Sequence, residues 1–241
     1  MTKSIAAEAT PSPLSWIRRE CGWLTEFLEG ILAAPSSPAL AQIEQRAAET
    51  QALGPRPLWE GYTGARYAGR TTRSPNEVRT PPRMGAVYTA MVMARKPASV
   101  IEFGTAFGVS GMYWLAGLEA SDAGHLFTFE PNDDWATVAE GNLRAISDRF
   151  TLTRGTFEEN AAAVLTPRAT DIAFIDAIHT SAFVFSQFEI LKPYLTERAI
   201  VLFDDIGFSP DMVRCWNTIA GSDFVLASAA IGRRVGIVEL R

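Results

Sequence analysis

The sequence predicts an α/β fold: a doubly wound, mostly parallel seven-stranded sheet with an antiparallel last strand, preceded by an N-terminal helical extension. From residue 84 onward, short apolar segments alternate with longer segments typical of helices, which is the order found in a parallel sheet. The last two apolar segments are joined through Ile231, Gly232 and Arg233, a connection typical of a hairpin. The hairpin makes the last strand antiparallel.

Composition and charge narrow the classes of partner. The 241 residues are 47% hydrophobic and 20% charged, as in an ordinary soluble globular protein. The net charge of -5 argues against nucleic acid as a partner, because nucleic-acid-binding proteins usually present a basic face. Cys21 and Cys215 are too few and too far apart for a disulfide framework or a zinc site. With no signal-peptide pattern and no apolar run of bilayer length, we expect a cytoplasmic protein without a membrane partner.

Three N-terminal regions precede the alternating pattern. Residues 1–13 are small and polar and predict a disordered tail. Residues 14–83 predict a helical extension and a proline- and glycine-rich loop from residue 54, acting as a structural cap, an active-site lid or a dimer contact. Apolar residues spaced by three and four predict the first helix. They are Leu14, Ile17, Cys21, Leu24, Leu28 and Ile31. Because this stripe must be buried, we expect a homodimer.

The domain at 84–241 is built from elements with a local basis in the sequence. Pro81 and Pro82 stand where a helix begins, a position that suits proline. Short apolar runs predict strands at 99–103, 125–130, 150–155, 171–176, 199–205, 224–230 and 233–240. The segments between them predict helices at 110–120, 133–146, 157–165, 181–195 and 210–221. In such a sheet, ligands bind at the carboxyl ends of the strands.

The first of these strands leads into a glycine turn with the pattern E-x-G-x-x-x-G, formed by Glu102, Gly104 and Gly108. A dinucleotide-binding G-x-G-x-x-G turn would need glycine at two further positions. Those positions hold Ala106 and Val109, so the turn is not predicted to bind a nicotinamide cofactor.

The E-x-G-x-x-x-G pattern resembles motif I of the class I S-adenosylmethionine (SAM) methyltransferases, which have a Rossmann-like fold. The resemblance implies that the turn passes under the methionine part of SAM and that Glu102 helps hold its amino-acid end. It also implies that Glu130 holds the ribose hydroxyls, although a charge at a helix start is an alternative. Thr156 and Phe157 would flank the adenine, unless Phe157 is only a core residue. The implied cofactor-binding residues are Glu102, Gly104, Thr105, Ala106, Gly108, Ser110, Glu130, Pro131, Thr156, Phe157 and Asp176.

Three carboxylates follow the fourth and fifth strands of the domain: Asp176, Asp204 and Asp205. The two strands are expected to be neighbours, so the carboxylates should converge at one edge. Such closeness is costly unless a proton or a cation intervenes. A hard divalent cation with oxygen ligands would relieve the repulsion.

This arrangement resembles the metal-dependent O-methyltransferases, such as the caffeoyl-CoA, catechol and macrolide-sugar enzymes. The resemblance implies that Asp176, Asp204 and Asp205 hold Mg²⁺ or another divalent cation. It implies a small-molecule acceptor with two adjacent oxygens, a type found in secondary metabolism. His179, in the segment "IDAIHT", matches the histidine of an "IDGxH" form and is the candidate base together with Asp176.

Some features depart from that pattern and leave alternatives open. Ile178 stands where an acid is common, and no lysine follows it. His179 can instead be a structural residue at the start of the next helix. A metal-independent N- or O-methyltransferase, or a non-catalytic partner protein with the same fold, are the alternative functions.

Overall fold

The computed structural model describes residues 14–30, 38–62, 70–176 and 178–241. The predicted tail at 1–13 and Ile31 of the predicted stripe lie outside the described residues. The strands are β1 (Leu14–Arg19), β2 (Arg56–Pro57), β3 (Thr72–Arg73), β4 (Ser99–Phe103), β5 (His125–Glu130), β6 (Phe150–Arg154), β7 (Thr170–Ile175), β8 (Leu195–Phe203), β9 (Val225–Ile231) and β10 (Val235–Leu240). The helices are α1 (Trp23–Gly30), α2 (Pro38–Ala52), α3 (Pro75–Val78), α4 (Pro82–Arg95), α5 (Val109–Ala120), α6 (Asp133–Arg144), α7 (Phe157–Val164), α8 (Ser181–Leu191) and α9 (Pro210–Ala220).

The main sheet has the order β1-β9-β10-β8-β7-β4-β5-β6. The strands β4 to β8 pair in parallel, whereas β10 is antiparallel to both β8 and β9. This confirms the predicted Rossmann-like α/β fold with its hairpin and antiparallel last strand. The predicted number of strands is wrong, because β1 adds an eighth strand beside β9.

The first residues of the predicted N-terminal helix form β1 instead. Leu14 pairs with Ile231 and Trp16 with Ala229, in antiparallel register. Pairing satisfies backbone groups at the outer edge of β9, and Trp16 packs against the core. Leu14 and Ile17 remain 40% and 47% exposed. The expected homodimer stays a prediction.

The helical part of the extension begins only at Trp23, where a distant carboxylate caps it. Glu239 of β10 is fully buried. It accepts hydrogen bonds from the backbone N–H of Trp23 at 3.3 Å and of Leu24 at 2.9 Å. The guanidinium of Arg198 donates to the same carboxylate from Nε at 2.9 Å. These contacts satisfy free N–H groups at the start of α1 and tie it to the sheet.

The segment at 54–83, predicted as a loop, contains ordered elements. Strands β2 and β3 form a short antiparallel pair. Helix α3 follows, with the Glu77 carboxylate accepting from the backbone N–H of Ser74 at 2.8 Å. The pair is attached to the start of α6, because the side-chain amide of Asn132 donates to the carbonyl of Pro57 at 2.8 Å. This attachment places the segment beside the carboxyl ends of the central strands.

Two apolar layers cover the faces of the sheet. Residues of α1, α2, α4 and α5 pack in one cluster, and residues of α7, α8 and α9 pack in the other. Burial on both faces explains why the central strands read as continuous apolar runs. In the described ranges, no helix has the length and apolar character needed to cross a membrane.

Candidate active site

The register of three parallel strands brings their carboxyl ends to one line. Phe103 of β4 is opposite Ile175 of β7, and Ile175 is opposite Phe203 of β8. The backbone N–H of Asp176 donates to the carbonyl of Phe103 at 3.2 Å, and that of Asp204 donates to Ile175 at 3.1 Å. The glycine turn and the two acidic loops therefore start side by side, at the edge where such folds bind ligands.

The backbone of the glycine turn has the positive φ angles that favour glycine. Gly104 and Gly108 have φ values of 84° and 81°, in the left-handed region that favours glycine. A Cβ at Gly108 would lie 3.1 Å from Cα of Ala139. Ala106 between them also has a positive φ, of 47°. The turn is thus held in an unusual shape against α6, with its backbone facing the cleft.

Glu102, at the base of this turn, is a fully buried carboxylate. Its Oε2 accepts a hydrogen bond from the hydroxyl of Thr128 at 2.8 Å. Its Oε1 has no hydrogen-bond partner among the described residues. Burial raises the pKa of Glu102 to about 7, and the hydroxyls of Ser110 and Thr128 partly oppose that shift. A buried oxygen without a partner is costly, which favours a ligand cation nearby.

Glu130 connects the glycine turn to the loop after β5. Its two oxygens accept from the backbone N–H of Ala106 at 2.7 Å and of Asn132 at 2.9 Å. Burial raises its pKa to about 7. Asn132, rather than Glu130, caps α6, because its side-chain oxygen accepts from the N–H of Asp134 at 3.1 Å. Glu130 itself accepts from the N–H of Asn132, the residue just before α6, so both assignments of Glu130 stay predictions.

A small apolar recess adjoins the turn on the side of β5 and β6. Phe157 lines this recess. It also stacks on Phe103, with ring centroids 3.8 Å apart, so it is a core residue as well. Thr156 lines the same recess and caps α7, accepting from the N–H of Glu159 at 3.4 Å. The recess is also lined by Pro131, Trp59, Ile178 and Gln187.

Gln187 is unusual in that recess. It lies on α8, is 2% exposed, and its Oε1 has no hydrogen-bond partner in the described part of the chain. A buried amide oxygen at a recess can accept a hydrogen bond from a ligand. The sequence analysis did not select Gln187, since it stands in the middle of a helix with no motif around it.

The larger cavity, of about 400 Å³, extends from the glycine turn to the acidic loops. Ligand atoms of Asp176, His179 and Asp204 lie within 4.8 Å of one another there. Nε2 of His179 is 3.3 Å from Asp176, and Nδ1 is 3.7 Å from Oδ2 of Asp205. Burial lowers the pKa of His179, but its hydrogen bond with Asp176 and the surrounding carboxylates outweigh burial and raise it overall. Thr105 and Ser110 line a narrow recess that reaches Asp176.

The family comparison identifies the region that contains most of these residues. Residues 101–206 match the methyltransferase domain family. The match covers less than half of the chain. The match begins inside β4 and ends just after the Asp204–Asp205 pair, so it spans the glycine turn and both acidic loops. No curated protein matches the sequence.

Solved structures show the same fold along most of the chain. An O-methyltransferase from Bacillus cereus in complex with S-adenosylhomocysteine (SAH) has a TM-score of 0.59 and 17% identity, over 90% of this chain and 97% of that chain. The SAH-bound Podospora anserina methyltransferase PaMTH1 has a TM-score of 0.63 and 14% identity, over 90% and 94%. The O-methyltransferase TomG of Streptomyces achromogenes, in complex with SAM, has a TM-score of 0.58 and 15% identity, over 90% and 95%. At these identities the likeness establishes a shared fold.

A residue outside the matched region contacts the acidic loop after β8. Arg234 is the last residue of the β9–β10 turn and forms a forked ion pair with Asp204, from Nε to Oδ1 at 3.1 Å and from Nη2 to Oδ2 at 2.8 Å. Its Nε is 3.5 Å from Asp205. Burial and the charge of Asp176 raise the pKa of Asp204, and Arg234 opposes the shift. The sequence analysis missed Arg234, because thirty positions separate it from Asp204.

The contacts of Asp204 bear on the three carboxylates predicted to hold Mg²⁺. Asp176, Asp204 and Asp205 do lie at one edge, and oxygen donors suit Mg²⁺. However, both oxygens of Asp204 already accept hydrogen bonds from Arg234. Mg²⁺ needs its ligand oxygens at about 2.0–2.1 Å in a near-octahedral arrangement. With a guanidinium held against Asp204, the donor set as arranged does not fit a divalent cation.

Proposed function

We propose that this chain is a SAM-dependent methyltransferase that transfers a methyl group to an oxygen of a small acceptor molecule. The observation that carries the proposal is the cavity that joins the glycine turn to the paired side chains of Asp176 and His179. A cofactor bound at the turn and an acceptor near His179 would occupy the same cavity. Holding two reactants together in this way supplies much of the rate of a transfer reaction.

The cofactor side of the site has donors and acceptors that suit SAM. Bound SAM supplies a methyl group on a positively charged sulfur. The unpartnered oxygen of Glu102 suits the ammonium of the amino-acid end. Glu130 suits the ribose hydroxyls, provided that it exchanges a backbone N–H partner for them. The recess of Thr156, Phe157 and Gln187 suits the adenine ring and its amino group.

The acceptor side offers a proton-accepting pair. His179 is positioned by Asp176 at 3.3 Å and by the ring of Phe208, whose centroid is 5.4 Å away. Neutral His179, oriented by the Asp176 carboxylate, would take the proton of the acceptor hydroxyl as that oxygen gains the methyl group, while the sulfur–methyl bond of the cofactor breaks and SAH is left. The arrangement supports an acceptor oxygen more directly than a nitrogen, because a hydroxyl needs such a base.

Adjacent oxygens on the acceptor fit the same end of the cavity. Arg234 lines it together with His179 and Asp205. A guanidinium has five N–H donors, and its contacts with Asp204 use only those on Nε and Nη2. An acceptor such as a catechol or a vicinal diol would present one oxygen to His179 and the other to Arg234.

Calorimetric titration with SAM and SAH tests the proposal first. We expect both to bind the wild-type protein, and we expect Glu130→Ala to weaken binding at least tenfold. Glu49→Gln, on the exposed side of α2, is the matched control and should bind as the wild type does. A screen of catechols and vicinal diols with SAM, read by mass spectrometry, then identifies the acceptor. Absence of SAM and SAH binding by the folded wild type would overturn the proposal.

A further inference from the structure

The position of Arg234 is set by the backbone around it. The N–H of Ile206 donates to the carbonyl of Arg234 at 3.1 Å, and the N–H of Gly207 donates to that of Arg233 at 2.8 Å. A Cβ at Gly207 would lie 2.5 Å from the carbonyl oxygen of Arg233, so the two loops are in close contact. The β9–β10 turn is therefore docked on the segment that directly follows Asp205.

The guanidinium is consequently aimed at the acidic loop. Asp204 is 3% exposed and receives two parallel hydrogen bonds from Arg234. The fork geometry of arginine matches a carboxylate in this way, which a lysine does not. The same guanidinium is 3.5 Å from Asp205, so one positive group contacts both acids of the pair.

The third carboxylate, Asp176, has a nitrogen partner of its own. Asp176 is 3.3 Å from Nε2 of His179, and Asp205 is 3.7 Å from its Nδ1. Each of the three carboxylates thus has a nitrogen partner from the protein itself. The charge of Arg234 relieves the repulsion from which a divalent cation was predicted, and His179 is a hydrogen-bond partner of Asp176.

We infer that Arg234 takes the place of a divalent cation in this site and that methyl transfer by this chain is independent of metal ions. The inference deepens the proposed function and rests on it for the reaction concerned. A dication bound at Asp204 would lie beside the guanidinium that is held against both oxygens of this carboxylate, and the two cations would repel each other. The proton of the acceptor hydroxyl passes to His179 and no step requires a metal.

Binding of Mn²⁺ to the wild-type protein tests this directly. After treatment with EDTA and dialysis, the protein is titrated with Mn²⁺ and the free ion is followed by its paramagnetic resonance signal. Thermal unfolding is recorded in parallel, with EDTA and with Mg²⁺. We expect no saturable Mn²⁺ binding and the same Tm in both solutions. Saturable binding that Asp204→Asn removes would overturn the inference.

A pair of variants tests the role of Arg234 itself. Arg234→Gln leaves Asp204 buried without its counter-charge, so we expect Tm in EDTA to fall by about 5–15 °C. Arg233→Gln, at the adjacent exposed position, is the matched control and should keep the wild-type Tm. If Arg234→Gln is as stable as the wild type in EDTA, Arg234 is not the counter-charge and the inference is wrong. If that variant does not fold, Arg234→Lys keeps one charge without the fork, and we expect it to fold with a lower Tm than the control.

SAH in the same melting experiment separates this inference from the proposed function. A rise in Tm with SAH supports the cofactor site whatever the response to Mg²⁺. If SAH has no effect while Mn²⁺ also fails to bind, the proposed function is contradicted and the ion pair of Arg234 with Asp204 remains a structural element only. That result would overturn the catalytic part of the inference as well.

Discussion

Nε2 of His179 lies 3.3 Å from Oδ1 of Asp176, in the cavity that Arg234 also lines. A histidine oriented by a carboxylate is suited to accept a proton. We therefore expect His179→Gln to lower kcat by about 10²–10⁴-fold with an acceptor found in the screen. SAH affinity should stay within about twofold, because His179 is not part of the cofactor recess. Initial rates and calorimetry measure the two effects, and an unchanged kcat would exclude His179 as the base.

Because the carboxylate of Glu102 is buried, we predict that the stability of the unliganded protein depends on pH. Its pKa is raised to about 7, mainly by burial. Since the folded state holds the proton more tightly than the unfolded state, stability falls as pH rises from about 4.5 to 7. Glu102→Gln, which carries no charge, should be more stable than the wild type at pH 8 by up to about 3 kcal/mol.

Urea unfolding at two pH values measures this difference. At pH 5 the gain from Glu102→Gln should be small, because the wild-type carboxyl is then mostly protonated. The same variant should bind SAH more weakly, since an amide pairs poorly with an ammonium. If Glu102→Gln is less stable than the wild type at pH 8, the ionised carboxylate of Glu102 has a favourable partner that the structure does not show.

Replacing the uncharged side chain of Gln187 should likewise raise stability and weaken SAH binding. Because its Oε1 is buried without a partner, Gln187→Met should raise the free energy of unfolding by about 1–3 kcal/mol. It should weaken SAH binding by about five- to tenfold if the amide contacts the adenine. Gln45→Met, at an exposed position of α2, is the control. Loss of stability with unchanged SAH affinity would mean that Gln187 has only a structural role.

The contacts of Glu239 help to attach the N-terminal extension to the sheet. Its carboxylate caps α1 and accepts from Arg198, in a fully buried position. Glu239→Gln should lower the free energy of unfolding by about 1–3 kcal/mol, because charge-assisted hydrogen bonds are replaced by weaker ones. The exposed pair of Arg19 and Glu29 offers the comparison. Glu29→Gln should change stability by less than about 1 kcal/mol. Equal effects of the two substitutions in urea unfolding would contradict this account.

The elements of the domain were predictable because their signals are local. Strands β4 and β5 have the predicted bounds, and the hairpin of β9 and β10 forms where the sequence indicates it. The placement of Gly104, Asp176 and Asp204 along one edge also follows from strand order and the direction of a parallel sheet. The roles assigned to these residues are still predictions.

The N-terminal strand β1 was not predictable from spacing. The apolar residues from Leu14 to Leu28 fit a helix by their intervals of three and four. The first six residues are extended because β9 presents an edge with free hydrogen-bonding groups. A partner distant in the chain therefore overrode the local pattern.

The sequence by itself determined the fold class, the glycine turn and the set of strand ends at which acidic side chains meet, because each depends on neighbours along the chain. Only the tertiary structure decided what those acids contact. Arg234 reaches Asp204 across thirty positions, through the docking of two loops. Gln187 and Glu239 acquire their importance from burial, which no local pattern records. The charge balance of the site thus depends on contacts between distant segments, among them the ion pair of Arg234 with Asp204.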